Sequence, residues 1–205
     1  MGSFEDQRGK KKVFKVYRVL FLCFFSSVVF SLSITTSYGQ NQLLKQLAKE
    51  DHDSRTGKKV ARTDEERVKI VLSVIGQGEV KDPEDMFNAA LVLQHTPFTY
   101  CENKLVSTSP DNYLLGHHLF KKAFEAGYKD ARYLVAASID RYLSMTEGYQ
   151  KYGTNRIINQ KTGKEELVPI DRNTPDSERA KYGVPPLSQL LKEFPEQVPA
   201  KKQGP

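Results

Sequence analysis

The sequence predicts a mainly α fold of antiparallel helical hairpins, with one small two-stranded β-hairpin toward the C-terminus. Three observations carry this. Apolar residues recur three and four positions apart through most of residues 43–142, the spacing of one helix face. Helix-start signals stand before these runs: Thr63 with Glu66, Asp82 with Pro83, and Ser109 with Pro110. After Gly153 the pattern changes to two short β-favouring runs around Lys161-Thr162-Gly163-Lys164.

In chain order, Leu43, Leu44 and Leu47 mark a short amphipathic helix that gives way to a polar stretch over residues 51–63. Thr63 and Glu66 have capping-box spacing, Val68, Val71, Leu72 and Ile75 follow on one face, and Gly76 and Gly78 stop the pattern. Pro83 suits a first helical position. The face behind it is Met86, Phe87, Ala90, Leu91 and Leu93, running out at Gln94-His95 before Pro97. From Ser109-Pro110 a longer helix carries Tyr113, Gly116, Phe120, Ala123 and Phe124 inward, and Gly127 is placed to close it. Ala131, Leu134, Val135, Ser138 and Tyr142 face back from the next helix. Small residues at 116, 123, 131, 136 and 137 let the two axes approach closely. Arg156-Ile157-Ile158-Asn159 and Glu166-Leu167-Val168 form the β-hairpin, with short helices at 176–181 and 187–192 and a disordered tail over 194–205.

The first 39 residues read as a targeting segment. Six cations between Arg8 and Arg18 precede an uncharged run over residues 19–34, and Ser37-Tyr38-Gly39 supplies small residues near a cleavage point. The run is shorter than the roughly 20 apolar residues of a full span. A cleaved signal peptide is therefore preferred over a signal anchor, and either one places the rest of the chain in the periplasm or outside the cell. This segment also explains the charge. The chain has 31 Lys and Arg against 25 Asp and Glu, and residues 1–39 hold six of the former and two of the latter. The remainder, 25 against 23, gives no support to a nucleic-acid face. Membrane contact is expected only through the N-terminal segment, if it is retained. Cys23 lies in the leader, so Cys101 stands alone after cleavage, either as a buried thiol (preferred) or as one free to pair between chains. The spacing of Cys and His fits no structural zinc, and nothing implies a cofactor. About 165 residues follow the leader, enough for a single domain, placed over 40–193.

The residues that bear chemistry are scattered. Asp53 and Arg55 lie in a polar segment, Gln94 and His95 end a helix, and Asp140 and Arg141 lie late in another. Gln150-Lys151-Tyr152-Gly153-Thr154-Asn155 precedes the hairpin, with Pro169, Asp171, Arg179, Gly183 and Pro186 downstream. His117-His118 sets two imidazoles about 100° apart on a helix, poor geometry for one metal, and is assigned to packing and surface.

Taken together, these elements resemble a family of exported bacterial proteins without an established activity. Its members carry an Asp-x-x-Arg-like element, Gln-His and Asp-Arg pairs, a Gln-x-Tyr-Gly-Thr-Gln string and a Gly-Leu-x-Pro-Leu-like ending. The resemblance spans residues 43–191 and is most specific at residues 150–155. Asn155 departs from the usual Gln, Asp53-Ser54-Arg55 is tighter than the pattern, and Gly183-Val184-Pro185-Pro186 replaces Gly-Leu-x-Pro. Separately, Ala-Phe-Glu-Ala-Gly-Tyr-Lys-Asp-Ala over residues 123–131 resembles the turn of tetratricopeptide-like Sel1 repeats. One copy makes a helical scaffold, not a solenoid.

The family resemblance implies a ligand site drawn from Asp53, Arg55, Gln94, Arg141, Gln150, Tyr152, Gly153, Thr154 and Asn155. If the groups converge, His95 becomes a general base oriented by Asp140, and Arg141 a holder of carboxylate or phosphate. Gly153 then lets backbone amides approach a ligand, with Tyr152 or Thr154 hydrogen bonding to it. A plainer alternative gives the same residues to architecture: a capped helix end, buried charges tying helix to hairpin, and a glycine that only serves a turn. Three functional classes follow. The preferred one is an exported binding domain for a small ligand, a peptide or another envelope protein. A hydrolase-like enzyme with His95 as base is the second, and a structural envelope protein the third. The sequence carries no nucleophile elbow, phosphate loop or zinc-protease motif.

Overall fold

The computed structural model describes residues 41–194 except 102, 103, 108 and 160. The leader expected over 1–39, and all but the first residue of the expected tail, lie outside the described residues. Among those described, the fold is mainly helical, with seven helices and two small antiparallel hairpins. None of these helices is long and apolar enough to cross a membrane.

Helix α1 (Gln42–Arg55) is capped by the Asn41 side chain and runs through the polar stretch where the sequence predicts its end. Asp51 and Arg55 extend it because they sit one turn apart and interact on the helix surface. Helix α2 (Asp64–Gly76) has the expected capping box: the Thr63 hydroxyl accepts from Glu66 N, and the Glu66 carboxylate accepts from Thr63 N. Its buried face is Val68, Val71 and Val74, whereas Leu72 is exposed. Helix α3 (Pro83–Leu93) starts on Asp82, which accepts from Asp85 N at 2.8 Å. It is apolar on two sides. Ala89, Val92 and Leu93 pack with Leu44, Leu47, Val68 and Val71, while Ala90 packs with Phe120, Ala123, Val135 and Ala136. So α3 is the shared wall between two cores.

Strands β1 (Thr99–Cys101) and β2 (Lys104–Val106) then pair antiparallel, Thr99 opposite Val106. The sequence does not announce this hairpin, because three-residue strands give too few alternations to register. It exposes Cys101, against the preferred expectation of a buried thiol.

Helix α4 (Asp111–Glu125) and helix α5 (Ala131–Thr146) form the expected helical hairpin and make the most extensive contacts in the fold. The turn between them is a Schellman motif, Gly127 N donating to Phe124 O and Tyr128 N to Ala123 O, each at 2.9 Å. Strands β3 (Arg156–Ile158) and β4 (Glu165–Leu167) give the hairpin expected near the C-terminus, Arg156 opposite Leu167. Helices α6 (Asp176–Lys181) and α7 (Leu187–Glu193) complete the chain. Tyr182 and Val184 join the α4–α5 core, and Leu190 packs on Leu167 and Ile170.

Candidate functional site

Successive residues on a helix point about 100° apart, so Asp140 and Arg141, late in α5, serve different neighbours. Asp140 is fully buried. Its Oδ1 accepts from Lys151 N at 2.7 Å and Tyr152 N at 2.8 Å, and its Oδ2 from Thr154 N at 2.9 Å and the Thr154 hydroxyl at 2.8 Å. Burial pushes this carboxyl above its ordinary value, against the pull of those donors. Clustered backbone amides of this kind make an anion-binding concavity. Here the anion is the protein's own side chain, so these amides are not open to a ligand.

The rest of the 150–155 string is equally committed. Gln150 is fully buried; its amide nitrogen donates to Asn155 O and Val168 O, and its amide oxygen accepts from Asn155 N. The Asn155 side chain reaches Ser144 Oγ at 3.2 Å. Gly153 sits at φ +83°, and a Cβ there would run into Leu190 Cδ2 and come within 2.7 Å of Ile170 Cδ1. Both backbone and space therefore demand glycine. Tyr152 is buried, packs edge-on against Tyr182, and donates its hydroxyl to Glu178 at 2.8 Å. Lys151 Nζ holds the same Glu178 oxygen at 2.7 Å. Buried Arg179 donates to Tyr152 O and, at 2.9 Å, to Pro185 O, locking α6 onto the turn. On the outer side of Gly153 lies a cleft of about 250 Å³, lined by Tyr133, Thr154, Arg156, Val184, Pro185, Leu190 and Glu193.

Arg141 turns the other way and donates to Gln94 O at the C-terminal end of α3. The Gln94 side chain is buried and donates to Tyr113 O at 3.2 Å. Gly116 makes that possible, since a Cβ there would come within 2.7 Å of the Gln94 amide nitrogen. His95 Nδ1 lies 2.6 Å from Asp51 Oδ2. Asp51 is 5% exposed at its side chain, against 30% for His95. With Nδ1–H given to the carboxylate, Nε2 is the ring nitrogen left for an outside group. Asp51 Oδ1 accepts no hydrogen bond, but Arg55 lies 3.6 Å and Arg67 3.9 Å from it. Arg55 also meets Asp64 at 2.5 Å, and buried Arg67 pairs with Asp64.

The expected residues thus fall into two places. Gln94, His95, Arg55 and Arg141 gather where α1 and α3 end. Asp140, Gln150, Tyr152, Gly153, Thr154 and Asn155 form the clamp under the β3–β4 hairpin. Asp53 joins neither: it lies between Lys49 and Lys58, whose hydrogen bonds hold its carboxyl down at about 2. The partner that sequence reasoning missed is Asp51, which orients His95 in the place expected of Asp140. Its signal was available in the i,i+4 spacing to Arg55. His117 behaves as expected of a packing residue, its Nδ1 on Val135 O at 3.0 Å. Among the described residues no cluster has the makings of a metal site.

Set against family models, curated proteins and solved structures, the chain matches none.

Proposed function

We propose that this chain is an exported helical domain that binds a small ligand or peptide where α1 and α3 end beside Arg141 of α5. The observation that carries the reading is the difference in availability between the two polar clusters. Both Asp140 oxygens and all the polar atoms of the Gln150 side chain are consumed by internal hydrogen bonds. At the other cluster His95 keeps Nε2 and Arg55 is 41% exposed at its side chain. Export rests on the cationic and apolar layout of residues 1–39.

The test is a thermal-shift screen of the full chain against small metabolites and envelope-derived peptides, run on wild type, His95→Ala and Arg55→Ala. The reading expects at least one compound to raise the wild-type midpoint by several degrees and to lose that effect in the folded variants. A wild type indifferent to the whole panel would overturn it.

One observation favours a second reading, a hydrolase-like enzyme: the 2.6 Å contact between His95 and the buried Asp51 carboxylate. This is how a general base is held in one tautomer. That reading expects wild-type turnover on an ester panel, lost in a folded His95→Ala.

A further inference from the structure

The charges around Asp51 do not balance. Three guanidinium groups, Arg55, Arg67 and Arg141, surround the ends of α1 and α3, and only two carboxylates, Asp51 and Asp64, serve them. Arg55 and Arg67 share both of these. Arg141 has no ion-pair partner among the described residues, and of its five N–H donors one reaches a carbonyl, that of Gln94. Glu50 pairs through Oε1 with Arg62 at 2.5 Å and makes no ion pair with Arg141, although its Oε2 is without a hydrogen-bond partner. Arg141 is part-buried, a guanidinium does not shed its proton to escape burial, and a charge drawn partly out of water without a counter-ion is costly. Burial, together with the nearby charge of Arg55, lowers the pKa of Arg141 against the pull of Tyr113. The cluster is therefore one negative charge short with His95 neutral, and two short with His95 protonated.

We infer that Arg55, Arg141 and His95 form a receptor for a single oxyanion, a carboxylate or phosphate group that supplies the charge this cluster lacks. Planar guanidinium forks suit either group, because two parallel N–H donors match two oxygens. The protonated His95 ring donates to the anion from Nε2, while Asp51 fixes it through Nδ1–H. Arg55, on the exposed side, admits the anion, and Arg141, on the inner side, receives it. This rests on the binding reading above and names the chemistry of its ligand.

The experiment titrates the full chain with inorganic phosphate, acetate and a short peptide with a free C-terminal carboxylate, each against chloride at matched ionic strength. Midpoint shifts are read together with the 15N resonances of the arginine side chains. A shift with phosphate alone identifies a phosphate-bearing ligand, and one with acetate and the peptide a carboxylate-bearing ligand; either supports the assignment. Arg55→Ala and Arg141→Gln are each expected to weaken binding about tenfold or more, the worth of a charge-assisted hydrogen bond. Arg55→Ala, at an exposed position, keeps the test decisive should Arg141→Gln fail to fold. Wild type that responds to no anion beyond chloride overturns the oxyanion assignment. If the broader ligand screen nevertheless finds a neutral compound whose effect needs His95, the binding reading survives that failure. Equal anion shifts in wild type and Arg55→Ala would also overturn the assignment.

Discussion

Asp140→Asn separates a structural carboxylate from a catalytic one, because the two roles respond to it oppositely. At a catalytic acid the substitution is nearly isosteric and leaves stability intact while activity falls. At Asp140 four donors converge on two oxygens, at 2.7–2.9 Å. An asparagine keeps one oxygen and turns an NH₂ group toward the other pair of donors. The best orientation points that NH₂ at Thr154, whose hydroxyl rotates to accept, and leaves Thr154 N without an acceptor. An orphaned buried donor costs about 1–3 kcal/mol, and the two bonds that remain lose their charge assistance, about 0.5–1 kcal/mol each. Relief from burying a charge offsets part of this, consistent with the raised carboxyl. The expected destabilisation is about 2–3 kcal/mol, a midpoint lowered by roughly 5–10 °C in a domain of this size. The assay is urea unfolding followed by far-ultraviolet circular dichroism, with the slope against denaturant unchanged. Asp140→Ala is expected to be worse, because all four donors lose their acceptor. Asp140→Asn within about 0.5 kcal/mol of wild type would refute the clamp.

Two further substitutions probe the same turn. Gly153→Ala must place a Cβ at φ +83° against Leu190 and Ile170, at a cost of about 2–4 kcal/mol. Leu190→Ala in the same chain should recover the steric share and not the backbone share; no recovery would mean that strain alone sets the cost. Glu178 is held below the usual carboxylate range by Lys151 and the Tyr152 hydroxyl. Its folded value lies below its unfolded one, so its contribution is complete above the ordinary carboxylate range and is lost as pH falls through the folded value. With the side chain 36% exposed, the effect is under about 1 kcal/mol. Glu178→Gln should flatten the midpoint-against-pH curve on its acid limb; parallel curves for the two proteins would count against the contact.

The helical part of the fold was legible because every long helix carries an apolar stripe, and α2 and α3 add a side-chain cap; α4 and α5, which have no side-chain N-cap, were legible from the stripe and from Gly127 between them. Thr63 with Glu66 and Asp82 with Pro83 are local signals that tertiary packing had no reason to override. The β1–β2 hairpin was not legible, since three residues per strand do not establish a period. The inward faces were read less well than the helices themselves. Leu72 was expected inside and Val74 is the residue buried there, because α2 meets α1 and α3 along a narrower stripe than its apolar content suggests.

The polar groups show why adjacency in sequence is a poor guide to a site. Asp140-Arg141 looks like an ion pair, yet the two side chains diverge, one into the 151–154 turn and one onto the end of α3. Asp53-Ser54-Arg55 looks like another, yet Asp53 faces two lysines while Arg55 faces Asp51 and Asp64. Residues one or two apart on a helix do not share a face, and residues four apart do. The spacing that mattered was therefore Asp51 to Arg55, and it was hidden because Asp51 stands where the apolar pattern of α1 has already run out. The partner that mattered for His95 was the same Asp51, 44 residues away. No local pattern encodes that contact; it follows from packing α1 against α3 through Leu44, Leu47, Ala89 and Leu93. The apolar faces, which the sequence states plainly, thus decide which charges meet. Where those charges meet with fewer carboxylates than guanidinium groups, around Arg141, is the place proposed above for an oxyanion.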